Sequence, residues 1–258
     1  MPSPFAAERL PDGRRRYSRS AVVARRRLLA GIVVAGAGAA VGVGRWRDGG
    51  GSAVADAEEV AGTSALHSTS EAASPWVVVN KQHPIDPADY APASLVTVGD
   101  KQVAGVVGPD LTALLAAATA DGVGLTLTSG YRSLDYQRTV HEQAVARDGR
   151  AAAERVSARP GYSEHQTGLA VDFGSSARPE CAVQDCYRLT PEARWLAAHA
   201  GDFGFLLRYT EQNSAVTGYA PESWHYRWVG RELLERMAER GVTTLEEFFG
   251  VSGGAEYA

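Results

Sequence analysis

Between residues 76 and 250 the apolar positions keep two periods, near 3.6 and 2, and these place the elements. Leu111, Leu114, Leu115 and Ala118 recur at helical spacing with Pro109 and Asp110 at the start, which predicts a helix over residues 110–121. Residues 124–128 alternate as a strand. A helix follows over residues 133–148, opened by a Ser133 cap, and it continues or restarts through residues 151–156. Residues 169–173 make a short strand, and Thr190 followed by Pro191 opens another helix. Residues 203–208 and 224–229 read as strands, and residues 231–239 and 244–249 as closing helices. Pro84, Pro87 and Pro92 mark irregular backbone ahead of the first helix. Strands and helices mixed without regular βαβ alternation predict an α+β fold, a small antiparallel sheet with flanking helices.

Outside that body the pattern changes. Residues 45–75 are mostly Gly, Ala, Ser, Thr and acidic residues, too poor in large apolar side chains to bury a core, and read as a disordered linker. Residues 251–258 read as a tail. Residues 28–44 are an uninterrupted small and apolar run between Arg25-Arg26-Arg27 and Arg45-Trp46-Arg47, near the lower length limit for a membrane-spanning helix. With residues 1–27 as a basic leader held in the cytoplasm, the run is expected to act as a signal peptide or membrane anchor. Ala53-Val54-Ala55 offers a cleavage site, and Arg26-Arg27 before Leu28-Leu29 also permits a twin-arginine signal. The body is therefore expected outside the cytoplasm, secreted or anchored in the cell envelope.

Charge sharpens this division. The net charge is -4, yet residues 1–47 carry ten Arg against Glu8 and Asp12, a balance of +8, so the rest of the chain stands at -4 minus 8, or -12. An acidic body is a poor surface for phosphate backbones, which excludes nucleic acid as its partner. An apolar fraction of 45% over 258 residues suits one sizeable core, read as a monomer. In an exported chain, the two cysteines at 181 and 186 are expected to form a disulfide.

The chemistry concentrates in two segments, Ser163-Glu-His-Gln-Thr-Gly-Leu-Ala-Val-Asp172 and Glu222-Ser-Trp-His225. His165, Asp172 and His225 supply the three protein ligands of a catalytic zinc, and Glu222 supplies a proton acceptor beside it. Alternation puts His225 and Arg227 on one strand face, and Asp172 and Ala170 on one face of theirs. Glu222 is expected in the turn before its strand, and His165 folds back toward Asp172 at the Gly168 bend. Glu164, Asp202 and Glu211 read as solvated, and His67, His83, His141 and His199 have no partner at ligand spacing.

Ser163-x-His165-x-x-Gly168-x-Ala170-x-Asp172 followed by Glu222-x-Trp224-His225 resembles the signature of the VanY-type D-alanyl-D-alanine carboxypeptidases. That zinc peptidase superfamily is shared with lysostaphin-type endopeptidases and the hedgehog amino-terminal domain. The resemblance extends to Val79-Asn80-Lys81 with Pro84, to Ser129-Gly-Tyr-Arg132-Ser with Gln137, and to Thr217-Gly-Tyr219. It implies a hedgehog/D,D-peptidase-like zinc fold, His165, Asp172 and His225 as Zn2+ ligands, and Glu222 as catalytic base. It further implies that Arg132, Gln137 and Ser163 hold the substrate's carbonyl and terminal carboxylate. The substrates implied are peptidoglycan stem peptides, with L,D-carboxypeptidase action or a non-catalytic zinc-bearing module as alternatives. Ser223 departs from a common proline, and Arg208-Tyr209-Thr210-Glu211 departs from a proline and Gly-Lys turn, a change expected to alter the substrate groove.

Overall fold

The computed structural model describes residues 68–258 and, near the N-terminus, a short antiparallel pair, β1 (Ala7–Arg9) with β2 (Arg15–Tyr17). The apolar run at 28–44, most of the linker and His67 lie outside the described residues. Among the described residues no helix is long and apolar enough to cross a membrane.

The centre is a four-stranded antiparallel sheet in the order β5 (Leu125–Ser129), β6 (Ala170–Ser175), β8 (Glu222–Trp228), β7 (Phe205–Tyr209). Alternation gives it two unlike faces. Val171, Phe173, Trp224, Tyr226, Trp228 and Phe205 pack into the main core, with edge contacts from Phe173 to Tyr226 and to Phe205. Ala170, Asp172, His225 and Arg227 lie on the opposite positions, and none of their side chains is exposed. A second cluster, Trp76, Val78, Val229, Leu233, Met237, Leu245 and Phe248, ties the closing helices to the start of the domain.

Helix α1 (Gly108–Ala120) buries Leu111, Leu114 and Ala118, the spacing that predicted it. Helix α2 (Leu134–Asp148) begins where Ser133 accepts from the Tyr136 N–H, and after Gly149 the chain restarts as α3 (Arg150–Ala153). Helix α4 (Pro191–His199) opens on the Thr190 hydroxyl, which accepts from Ala193 N–H. The strand expected at 203–208 begins later, at Phe205, because residues 200–203 form a 3-10 turn. A short α5 (Ser214–Thr217) precedes β8, and α6 (Arg231–Arg240) and α7 (Leu245–Phe249) close the domain. Cys181 and Cys186 are disulfide-bonded, as expected.

Three features depart from the sequence reading. A hairpin, β3 (Leu95–Val98) and β4 (Lys101–Ala104), forms where irregular backbone was expected. Its two-residue turn starts at Gly99, whose φ of 61° suits glycine. Packing begins before Trp76: Ala72 and Ser74 are buried, and Thr69 accepts from Val78 N–H. Residues 251–258, read as a tail, are bonded to residues 80–82. Ser252 carbonyl accepts from Asn80, Glu256 carbonyl accepts from the Gln82 side chain, and Ala258 N–H donates to Lys81 carbonyl.

Candidate metal centre and active site

The three proposed ligands are brought together by one register and one turn. Asp172 stands directly opposite His225 in the β6–β8 ladder, which places their side chains as neighbours on one face. His165 arrives from a 3-10 turn, Glu164–Thr167, just before β6. That turn ends at Gly168 in the left-handed region (φ 69°), where a Cβ would stand 2.8 Å from Ala104 N and 3.1 Å from Pro92 Cγ. The Thr167 hydroxyl binds Glu164 carbonyl and accepts from Leu169 N–H, tightening the bend.

Hydrogen bonds decide which atoms face one another. His165 Nδ1 lies 2.8 Å from Gly130 carbonyl, which can only accept, so Nδ1 carries the proton and Nε2 is left with a lone pair. Nε2 points at Asp172 Oδ2, 3.2 Å away. His225 Nε2 lies 3.0 Å from Glu164 Oε2, and its Nδ1 lies 3.1 Å from Asp172 Oδ1. Ligand atoms of His165, Asp172 and His225 all fall within 4.8 Å of one another, and all three residues are buried. Two imidazole nitrogens and a carboxylate converging at a buried point are a donor set that suits zinc.

The electrostatics match a cation site. Burial would raise the Asp172 carboxyl, but His165 and His225 outweigh it and hold it well below the usual range. Burial lowers His165, helped by the Arg132 charge, which favours its neutral ring. Burial would also lower His225, yet hydrogen bonds to Asp172 and Glu164 push it up to about 9. Because Glu164 can only accept, the proton for which a metal competes is the one on Nδ1.

Glu222 is the first residue of β8 rather than part of the preceding turn, a correction to the sequence reading. Regular alternation would turn it away from His225. The β7–β8 register instead shifts between Leu207 and Tyr209, and Glu222 Oε2 comes to 3.9 Å from His225 Nδ1. Burial, with Asp172 adding to it against the pull of His225, lifts its carboxyl to about 8.

Arg132 leaves the end of β5 and reaches the same cluster. Its Nη2 donates to Ser129 Oγ at 3.0 Å and lies 3.4 Å from Asp172 Oδ2, and its Nη1 donates to Gln137 Oε1 at 2.8 Å. Gln137 is buried, and its amide also donates to Ala158 carbonyl, so its side chain sets the position of Arg132. Ser163 is buried beside the turn, and its hydroxyl does not cap it.

Glu164 is the main correction. Expected in solvent, it is buried and accepts from Arg208 Nε (2.9 Å), Arg227 Nη1 (3.2 Å) and His225. Burial opposes its charge, but Arg208, His225 and Arg227 hold it far below the carboxylate range. Arg208 also forks onto both oxygens of Glu246, at 2.9 and 2.7 Å. The Arg208 segment takes part in a buried ion network, and Tyr209 next to it packs on the His225 ring. Asp202 and Glu211 are exposed, as expected. The sequence did carry one signal for the network: Arg227, alternating onto the His225 face, needs a buried carboxylate.

A sequence model of the VanY family, described as D-alanyl-D-alanine carboxypeptidase, matches residues 100–231. A D-alanyl-D-alanine carboxypeptidase of Enterococcus faecalis is 34% identical over 181 residues, covering 67% of this chain, which spans only 64% of that relative's length. The LdcB LD-carboxypeptidase structure superposes with a TM-score of 0.62 at 30% identity, covering 70% of this chain and 89% of that one. The VanB-type vancomycin-resistance D,D-pentapeptidase VanY, solved with Zn(II), superposes with a TM-score of 0.59 at 32% identity, covering 68% and 98%. The α+β expectation holds, and the chain belongs to the VanY family of D-alanyl-D-alanine carboxypeptidases.

Proposed function

We propose that this chain is an exported, zinc-dependent D-alanyl-D-alanine carboxypeptidase that hydrolyses the terminal peptide bond of peptidoglycan stem peptides outside the cytoplasm. The observation that carries the reading is the convergence of His165, Asp172 and His225 with Glu222 beside them, in a chain of this family. His165 Nε2, the Asp172 carboxylate and His225 Nδ1 are the atoms that would hold the metal. When bound, zinc supplies a Lewis acid that acidifies water and polarises the scissile carbonyl.

The chain's own residues do the rest. Glu222 accepts the proton of the attacking water and returns it to the leaving amine, a role worth on the order of 10²–10⁴ in rate. Burial raises the Glu222 carboxyl, which suits it to giving the proton back to the leaving amine. Arg132 offers a planar fork to the substrate's carboxylate or to the developing oxyanion, and Gln137 keeps that fork in place. Ser163 stands beside the ligand turn as the third substrate contact.

A second reading, L,D-carboxypeptidase action on tetrapeptide stems, is favoured by the likeness to LdcB. One experiment separates them: release of D-alanine by the purified protein from defined pentapeptide and tetrapeptide stems, with and without chelator. The proposal expects pentapeptide trimming that chelator abolishes and zinc restores. Cleavage of tetrapeptide alone selects the L,D reading. Zinc binding without cleavage of either stem selects a binding module.

A further inference from the structure

The mechanism above leaves unused a buried acid in contact with a metal ligand. We propose that Glu164 is a positioning residue of the metal centre, fixing His225 so that it can ligate only through Nδ1. The inference rests on the zinc reading of that site.

The argument begins with what Glu164 does for its other partners. Arg208 and Arg227 are buried cations, and Glu164 and Glu246 are buried anions, so the four balance without any contribution from His225. Both arginines engage Glu164 through Oε1, which leaves Oε2 to His225 Nε2 at 3.0 Å. Charge neutrality does not require that last bond. What it supplies is orientation: an imidazole that donates Nε2–H to a fixed carboxylate must turn Nδ1 the other way, toward Asp172 and His165.

The carboxylate itself cannot swing. Arg208 comes from β7, Arg227 from β8 and Glu246 from α7, and Glu246 Oε1 also takes a hydrogen bond from Asn80 at 2.9 Å. Arg227 Nη2 is tied in turn to the carbonyls of Pro75 and Val77. Four separate parts of the chain therefore set the direction of one ring nitrogen. The Tyr209 ring, 4.8 Å from the His225 ring, packs against it as well.

The test has two readouts on the full-length protein. Zinc affinity is measured by competition with a chromophoric chelator for wild type and Glu164→Gln, and circular dichroism reports folding. Loss of an outer-shell carboxylate is expected to weaken zinc about 10–100-fold. Because removing a buried anion can unfold the variant, the second readout uses wild type alone: long-range ¹H–¹⁵N correlation of the zinc-loaded, ¹⁵N-histidine protein. A protonated Nε2 and metal-bound Nδ1 on His225 are expected. A metal-bound Nε2 overturns the proposal, as does a folded Glu164→Gln with wild-type zinc affinity. Wild type that binds no zinc defeats the zinc reading itself, which distinguishes the two failures.

Discussion

The turn before β6 and the strand β8 each present a histidine to the same site, yet they hold it by opposite means. His165 is oriented by a main-chain carbonyl, that of Gly130, and by a bend that depends on Gly168. His225 is oriented by a side-chain carboxylate embedded in two ion pairs. A carbonyl neither titrates nor mutates, so the first arrangement is sensitive to backbone shape alone. The second is sensitive to charge. One metal site thus depends on two independent kinds of order, and each can be disturbed separately.

The largest expected effect comes from deleting either ring. His165→Ala and His225→Ala should both reduce zinc content and peptidase activity to background, since two ligands hold zinc poorly. They should differ in stability. Each deletion leaves an acceptor without its donor, but the one facing His225 is a charged carboxylate, so His225→Ala should cost roughly 1–3 kcal/mol more in denaturant melts. Equal stability losses would erase the contrast between the two supports.

Next in size is Glu222→Gln, which removes the proton acceptor from the β8 side without touching a ligand. Turnover should drop by about 10²–10⁴ while zinc content stays at one equivalent. A variant that loses zinc would make Glu222 a ligand instead.

Gly168→Ala probes the backbone support. The left-handed backbone, together with a Cβ pressed against Ala104 N, should destabilise the fold by roughly 1–3 kcal/mol and weaken zinc through His165. Unchanged melting and zinc affinity would show that the bend does not position the ring.

The mildest effect is expected from acid, and it should act on the β8 side. Burial works against the charge on Glu246, but Arg208 more than compensates and holds its carboxyl below the usual range, as it does for Glu164. A group depressed in the folded state binds more protons when unfolded. Its stabilisation is therefore present above the unfolded value of about 4.3 and is lost as pH falls through and below it. The urea midpoint of the metal-free protein should fall below about pH 5, and Glu246→Gln should flatten that fall. A Glu246→Gln profile as steep as wild type would place the acid sensitivity elsewhere.

Much of this was legible in the residues. The alternation of Trp224, Tyr226 and Trp228 with His225 and Arg227 predicted a two-faced strand, and the ladder puts Asp172 opposite His225. What escaped was non-local. Glu164 reads as a solvated charge because its partners lie 44 and 63 residues away on β7 and β8. The β3–β4 hairpin escaped because its short turn follows a proline-rich stretch that suggested loop. Glu222 was expected in a turn because a regular strand would face it away. Only a register shift, invisible in local pattern, lets it belong to β8 and still reach the site.

The closing stretch, residues 251–258, carries a consequence for how the molecule opens. It is laid along residues 80–82, and Tyr257 reaches Arg159, accepting from its N–H and packing under its guanidinium. Lys81, buried between the carbonyls of Gly218 and Ala255, closes the same seam from inside. The two flanks of the domain therefore share bonds that neither can keep alone. In native-state hydrogen exchange the amides of Asn80 and Ala258 should exchange as a single cooperative unit, and peeling the last residues away should release residues 80–82 with them.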